Sequence, residues 1–201
     1  MHTGGLAYDI FPMAGYMLHP QHDVLEKQRA MALATGLPLV WGTDYHPNGR
    51  TLSVARDCNI PAIYFEYGGG TGFRQEVVTC YQKAVMRILI WLGMMQDEHR
   101  FTAEQPKYWV EDHRADSGHF QAKMPSPMDG IFIASVSVGD RVSAGQCIGE
   151  VVDPLTGAHE QIHANADGMV HFLQVMVRVT KGDALGGVLP VVDGRKEVVH
   201  E

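Results

Sequence analysis

The sequence is poor in cysteine and in basic residues, and these scarcities exclude several classes of protein. Its 201 residues include three cysteines, which are widely spaced and odd in number: Cys58, Cys80 and Cys147. They fit neither a disulfide framework nor a zinc knuckle, so they indicate a reducing, cytoplasmic compartment. Sixteen basic residues against 23 acidic residues give a formal charge of −7. We therefore predict no nucleic-acid partner, because nucleic-acid binders usually present a basic face.

A long hydrophobic run is also lacking. The most apolar stretch, residues 85–95, contains Arg87 and is much shorter than the roughly 20 residues of a bilayer-spanning helix. Residues 1–20 lack the basic start and following apolar run that mark a secretion signal. We therefore predict no membrane partner, and we interpret residues 85–95 as part of a buried helix.

The first half of the chain alternates between helical and strand patterns. Segments rich in helix formers alternate with short apolar runs typical of strands: residues 23–35, 37–41, 51–59 and 62–66. From Phe73 onward, apolar residues recur every three or four positions, which predicts a long amphipathic helix. The alternation predicts an α/β domain with a mostly parallel sheet over residues 1–104. Polar residues 96–106 are typical of a connector.

The second half, residues 105–201, consists of short β-type runs punctuated by Gly, Pro and Asp, and it contains an internal repeat. Asp129-Gly130 returns as Asp167-Gly168, an offset of 167 − 129 = 38, and Gly145 returns as Gly182, an offset of 182 − 145 = 37. Two halves of equal length predict a small all-β barrel with pseudo-twofold symmetry. This part of the chain resembles the biotinyl/lipoyl barrel.

Carrier versions of that barrel present a lysine at the tip of the hairpin between the two halves. The corresponding residues 152–160 contain no lysine here, and the nearest ones, Lys123 and Lys181, lie outside the hairpin. A carrier function is therefore disfavoured. The sequence predicts instead a structural barrel that packs on its partner domain.

Two segments carry residues suited to metal-dependent hydrolysis. His2 precedes a glycine pair, and Glu66 ends an apolar run that leads into three glycines. A catalytic zinc site uses three protein ligands and a water, whose proton a nearby carboxylate removes. His2 suits one ligand, and Glu66 suits the proton shuttle at the carboxyl end of the sheet. Each residue taken alone is more often an ordinary surface or capping group.

Together these segments resemble the succinylglutamate desuccinylase/aspartoacylase family, zinc-dependent deacylases with a zinc-carboxypeptidase-like fold. In that family Asp-Leu-His-Thr/Ser-Gly supplies the third zinc ligand, so the resemblance implies that His2 binds metal. Ile-Pro-Ala-Ile-x-x-Glu-x-Gly-Gly supplies the catalytic glutamate, and residues 60–69 match it with Glu66 in that position. Many bacterial members also end in a barrel whose entry and turn motifs match residues 127–132 and 139–145.

The family's other zinc ligands lie in a Gly-x-His-Gly-x-Glu block that these 201 residues do not contain. The family's substrate-binding arginine and asparagine also lack counterparts, so the resemblance implies an N-terminally truncated member. Other residues of the first half offer replacement ligands, which we regard as the weaker alternative: His19, His22, Asp44 and His46. Arg74 is more typical of a solvated helix start than of a pocket residue. Three further polar residues are better interpreted as an inter-domain loop: Asp112, His113 and His119.

The predicted architecture is the C-terminal half of a zinc-carboxypeptidase-like α/β domain, residues 1–104, followed by a small all-β barrel, residues 105–201. The resemblance implies a zinc-dependent hydrolase of N-acyl amino acids or similar small amides, with one zinc per complete site. Glu66 would act as general base, and self-association is left open. The alternative is a catalytically incompetent fragment or subunit that lacks two zinc ligands. This chain alone is expected to be inactive and to bind zinc weakly or not at all.

Overall fold

A computed structural model describes residues 1–96, 105–120 and 123–200. The helices are α1 (His22–Ala34), α2 (Thr51–Asp57) and α3 (Gln75–Trp91). The strands of the first half and of the segment after the connector are β1 (Tyr8–Ile10), β2 (Met13–Met17), β3 (Leu39–Thr43), β4 (Tyr64–Glu66) and β5 (Tyr108–Asp112). The later strands are β6 (Gly130–Ala134), β7 (Arg141–Val142), β8 (Cys147–Val152), β9 (His159–His163), β10 (Gly168–Gln174), β11 (Arg178–Val179), β12 (Gly186–Leu189) and β13 (Lys196–Val199).

A five-stranded sheet with the order β13-β5-β3-β2-β4 forms the α/β part of the molecule. Strands β13, β5, β3 and β2 run parallel to their neighbours, whereas β4 pairs antiparallel with β2. The central strands β2 and β3 are buried along their whole length, as expected for strands covered on both faces. The fold is therefore mixed α/β. The predicted parallel sheet is correct for four strands, but the prediction that Glu66 lies at the common carboxyl edge is wrong, because β4 runs the opposite way.

Seven strands of the second half, β6 to β12, together with β1 form two four-stranded sheets. One has the order β1-β10-β12, with β7 also pairing with β10, and the other has the order β11-β6-β8-β9. A core of apolar side chains connects strands of the two sheets, and it includes Phe132, Ile148, Val170 and Leu185. Both sheets are therefore stabilised by the same buried cluster.

The internal repeat is visible in the strand pairing. Strand β10 begins 168 − 130 = 38 residues after β6, and β11 begins 178 − 141 = 37 residues after β7. Short strand β7 of the first repeat pairs with β10 of the second, and β11 of the second pairs with β6 of the first. This reciprocal exchange is the pairing that a pseudo-twofold axis between the repeats would produce.

The two halves of the chain share strands. Strands β5 and β13, from residues 105–201, complete the five-stranded sheet, while β1, from residues 1–104, pairs with β10. One buried cluster spans both halves and contains Trp41, Tyr108, Phe172 and Leu189. The division at residue 104 stays a prediction, and strands cross it in both directions. The predicted connector, residues 96–106, lies mostly outside the described residues.

The helices agree closely with the sequence patterns that predict them. Helix α1 ends just before Gly36, whose φ of 68° gives the left-handed geometry common after helix C-termini. The amphipathic pattern after Phe73 corresponds to α3, which buries Val77 and Ala84. Within residues 1–96, 105–120 and 123–200, no helix is long and apolar enough to cross a membrane.

Candidate active site

The two motif segments lie side by side at one edge of the five-stranded sheet. Residues 2–5 run parallel to residues 65–70, and His2 is the bridge partner of Glu66. Because paired residues of adjacent strands project to the same face, their side chains share one side of the sheet. Four backbone hydrogen bonds join the segments: His2 N to Phe65 O (2.8 Å), Tyr67 N to His2 O (3.4 Å), Gly4 N to Gly68 O (2.8 Å) and Gly70 N to Gly5 O (2.8 Å).

Glycines in both segments permit this close approach. A Cβ on Gly4 would lie 2.0 Å from the carbonyl oxygen of Tyr8, and a Cβ on Gly69 would lie 1.9 Å from the same oxygen. Gly69 also has a φ of 141°, which side chains rarely tolerate. The glycines after His2 and Glu66 are therefore required by the packing of backbone on backbone around Tyr8.

His2 and Glu66 line a cavity with a volume of about 520 Å³, which is in the size range of small-molecule sites. Arg50 and Thr51 border it at the start of α2, and Phe120 borders it from the loop after β5. The remaining lining residues are Met1, Leu52, Ile63, Tyr64 and Gly118. The cavity thus lies where the sheet edge, α2 and the loop after β5 meet.

Burial raises the pKa of Glu66 to about 7, and the nearby N-terminal amino group partly opposes this shift. The Tyr64 ring contributes to the enclosure, because it lies across Gly15 of β2, where a Cβ would be 2.0 Å from the ring. Burial also raises the pKa of Tyr64, with a further contribution from the charge of Glu66. A carboxyl group with a pKa near neutrality can accept and return a proton at neutral pH.

The described residues do not fit a complete zinc site. Catalytic zinc needs three protein ligands, but residues 1–96, 105–120 and 123–200 contain no cluster of three His, Cys, Asp or Glu side chains able to hold a metal ion. His2 is exposed and offers one imidazole at the rim of the cavity. Any further ligands would have to come from beyond the described residues.

Three of the four alternative ligands considered from the sequence form contacts elsewhere. The Nε2 atom of His19 is 3.2 Å from the carbonyl oxygen of Arg56, and its Nδ1 accepts a hydrogen bond from the Gln21 backbone. The Nδ1 of His46 is 2.6 Å from a carboxylate oxygen of Asp44. These contacts serve local structure, and none of the four proposed replacements lines the cavity.

Two other interpretations from the sequence can be compared with the structure. Arg74 lies outside the cavity and forms ion pairs of 2.8 Å with both Asp9 and Glu76. The ring of His113 stacks on that of His200, with a centroid distance of 5.0 Å. Neither Arg74 nor His113 contributes to the candidate site.

Arg50, Thr51 and Phe120 are among the lining residues that sequence reasoning did not identify. Arg50 caps α2, Thr51 begins it, and Phe120 lies outside the named helices and strands, so no periodicity or metal-ligand spacing marks them. A single arginine before a helix pattern is a common surface feature, and its position at the cavity depends on how α2 packs.

Comparison with known proteins gives a consistent result. The chain is 25% identical over 200 residues to an N-alpha-acetyl-L-2,4-diaminobutyric acid deacetylase from Halomonas elongata, covering 96% of this chain and 56% of that protein. The structure matches a succinylglutamate desuccinylase from Silicibacter sp. TM1040 with a TM-score of 0.83 and 20% identity, over 95% of this chain and 56% of that one. It also matches the product-bound ectoine utilization protein EutE (DoeB) from Ruegeria pomeroyi with a TM-score of 0.80 and 20% identity. That match covers 93% of this chain and 56% of that one. No protein-family model matches the chain.

The fold and the paired motif segments define a mixed α/β protein built like these solved structures. Several of the similar solved structures carry the names of the succinylglutamate desuccinylase/aspartoacylase family, which is the family that the sequence motifs resemble. The chain spans a little over half the length of the relatives it matches, 56% of the Halomonas protein.

Proposed function

We propose that this chain carries the general base of a deacylase that hydrolyses N-acyl amino acids or similar small amides. The observation that supports the proposal is the pairing of His2 with Glu66 at a cavity of about 520 Å³, with burial raising the pKa of Glu66 to about 7. The similar Halomonas protein is named as a deacetylase of an N-acetylated diamino acid. Deacylation of an amide is the reaction that the names of this deacetylase and of the desuccinylases have in common.

In the proposed reaction Glu66 takes a proton from a water molecule while the oxygen of that water attacks the amide carbonyl carbon. The C–N bond then breaks, and Glu66 returns the proton to the leaving nitrogen, so that a carboxylic acid and an amine are formed. A pKa near 7 suits both transfers, because the group must accept and then donate a proton at the same pH. The exposed guanidinium of Arg50 at the cavity is suited to the substrate's carboxylate.

His2 is the residue we propose as one zinc ligand. Its position at the cavity rim, on the same sheet face as Glu66, supports this role. The other ligands of a zinc-carboxypeptidase-like site are not supplied by the described residues. A zinc-dependent deacylase is therefore proposed for a site completed by further chain.

The second candidate function is that of a catalytically incompetent fragment or subunit. The absence of a three-ligand cluster among the described residues favours it for the 201-residue chain by itself. The two candidates differ in zinc content and in turnover, and both properties can be measured on purified protein.

For the two β-sheets of the second half we propose a biotinyl/lipoyl-like barrel with a packing role. Its hairpin between β8 and β9 turns at residues 153–158 and carries no lysine. Because the hairpin has no lysine to modify, we propose that the barrel either lines the site or mediates self-association. The three cysteines, all free in the structure, support a reducing cytoplasm as the compartment.

The test is hydrolysis of N-acetyl-L-2,4-diaminobutyrate and N-succinylglutamate by the purified chain supplied with zinc, measured by amine release and by metal analysis after dialysis. If the chain is the deacylase, Glu66→Gln should lower the rate by about 10² to 10⁴ while leaving zinc content unchanged. Glu160→Gln, at an exposed position on β9, is the matched control and should keep the full rate.

A rate in Glu66→Gln within a few-fold of the unmodified chain would refute the role of Glu66. If the chain binds well under one zinc and shows no turnover, the fragment or subunit is the better description. One tightly bound zinc that is lost in His2→Ala would instead establish His2 as a ligand.

A further inference from the structure

A second, smaller cavity lies between the five-stranded sheet and the sheet that contains β10. Its volume is about 40 Å³, room for about three water-sized groups at roughly 10–15 Å³ each. Strand β3 contributes Trp41 and strand β10 contributes His171. Phe120, which lines the larger cavity, stacks on Trp41 with a centroid distance of 5.8 Å and so separates the two cavities.

Two buried polar side chains at this cavity lack partners. Trp41 is 1% exposed and His171 is 3% exposed. The Nε1 of Trp41 has no hydrogen-bond partner, and neither ring nitrogen of His171 forms a hydrogen bond of good geometry, although the Gly187 backbone lies close enough to oppose the lowering of the His171 pKa. Because an unpaired buried polar group is costly, nearly all such groups in folded proteins have a partner. Unpaired nitrogen atoms on two side chains that line the same cavity therefore point to a ligand within that cavity, beside the edge contact of the two rings, whose centroids are 5.1 Å apart.

Apart from Asn165, whose amide can both donate and accept, the other polar residues of the cavity give it an excess of hydrogen-bond donors and of positive charge. Asp112 is neutralised by Arg114, which donates to both carboxylate oxygens at 2.8 and 2.6 Å. The hydroxyl of Ser117 is occupied, because it accepts from the Asp44 backbone and donates to a backbone carbonyl. Lys123 lines the cavity, and its ammonium group has no partner among the described residues.

These groups suit an anion better than a cation. Trp41 can only donate, and Lys123 adds a positive charge that the Asp112–Arg114 pair does not cancel. His171 can donate from one ring nitrogen in its neutral form, and burial holds its pKa down to about 3. A hard cation would need several oxygen ligands, whereas the carboxylate oxygens of Asp112 are already paired with Arg114.

We propose that this cavity is a binding site for a small monovalent anion of no more than about three heavy atoms, such as chloride or formate. Trp41 and His171 would donate hydrogen bonds to the anion, and Lys123 would balance its charge. The ligand would lie behind Phe120 and would hold together strands of the two halves of the chain. This site is separate from the cavity of His2 and Glu66, so its test does not depend on the proposed deacylase function.

The probe is chloride, and the line width of its ³⁵Cl resonance is measured in the presence of the full chain. Gluconate keeps the ionic strength constant, because this anion is too large for the cavity. Saturable broadening that formate reverses is the expected result. Lys123→Gln should weaken chloride binding by roughly ten- to a hundredfold, the usual worth of a hydrogen bond to a charged group. Lys181→Gln, at an exposed lysine that does not line the cavity, should bind as the unmodified chain does.

Trp41→Phe removes the donor and keeps most of the ring, and it should also weaken binding. If that variant does not fold, Lys123→Gln still decides the outcome because its side chain is only partly buried. The proposal is overturned if the unmodified chain gives no saturable broadening, which would mean that the cavity holds only water. Equal broadening by Lys123→Gln and Lys181→Gln would overturn it as well.

Discussion

Replacing Glu111 by glutamine should destabilise the protein by an amount that the structure allows us to estimate. Glu111 is 2% exposed on β5. Its carboxylate accepts hydrogen bonds from Arg29 at 2.6 and 2.7 Å and from the Tyr16 hydroxyl at 2.7 Å, and it pairs with Lys196 at 2.7 Å. These partners belong to α1, β2 and β13, so one side chain connects a helix and three strands of the sheet.

The expected loss lies at the lower end of the usual range. Removing one partner of a buried ion pair commonly costs about 3–5 kcal/mol. The side chains of Arg29 and Lys196 are 19% and 32% exposed, so water can partly solvate them after the charge is removed. We therefore expect about 3 kcal/mol in urea unfolding, or roughly 6–12 °C in Tm for a protein of this size.

The matched control is Glu26→Gln, which removes a second carboxylate from the same arginine. Glu26 pairs with Arg29, but its side chain is 50% exposed, and such surface pairs contribute about 0–1 kcal/mol. A loss for Glu111→Gln below about 1 kcal/mol, or equal losses for both variants, would refute this account of the network.

The pH dependence of stability gives an independent check. Burial would raise the pKa of Glu111, but the hydrogen bonds from Arg29, Lys196 and Tyr16 outweigh it and lower the pKa. A carboxyl group with a lowered folded-state pKa stabilises the protein above its unfolded pKa of about 4.3. That stabilisation is lost as the pH falls through the folded-state value. Glu111→Gln should lack this part of the acid destabilisation.

Two further outcomes follow from the site. If Glu66 is the general base, kcat/KM of the active deacylase should rise with pH through about 7, because only the ionised carboxylate accepts a proton; a profile that is flat from pH 5 to 8 would contradict the assignment. Gly69→Ala should unfold or strongly destabilise the chain, since its Cβ would meet the Tyr8 carbonyl at 1.9 Å, whereas Gly72→Ala has a positive φ of 99° but nothing within 4 Å. Similar Tm values for the two alanine variants would show that the Tyr8 contact is not limiting.

Local patterns predicted the helices well, because capping and amphipathic spacing are recorded in neighbouring residues. The segment 23–35 corresponds to α1, His22–Ala34, and the pattern after Phe73 corresponds to α3. Strands β1 and β2 were not predicted. Strand β2 is wholly buried and contains Gly15, so it lacks both the alternating pattern and the β-branched residues that mark a strand.

The sequence predicted part of the candidate site, because short motifs, like helix patterns, are recorded in neighbouring residues. His2 and Glu66 stand in short motifs, and the structure brings them together as bridge partners. The orientation of β4 could not be read from the sequence, because an apolar run of three to five residues has no direction. Arg50 and Phe120 reach the cavity only through the packing of α2 and of the loop after β5, which depends on distant residues.

The edge position of the site bears on the choice between deacylase and incompetent fragment. His2 lies on the outermost segment described, next to β4, and β4 ends the strand order β13-β5-β3-β2-β4. Within the described residues, no group of three potential ligands surrounds a metal position, and the Asp44 and His46 side chains pair with each other. Additional ligands would therefore have to approach from the open side of residues 2–5 or across the cavity. If the proposed deacylase uses zinc, its remaining ligands come from outside the described residues, whereas Glu66 has its burial, and hence its raised pKa, from residues that the structure describes.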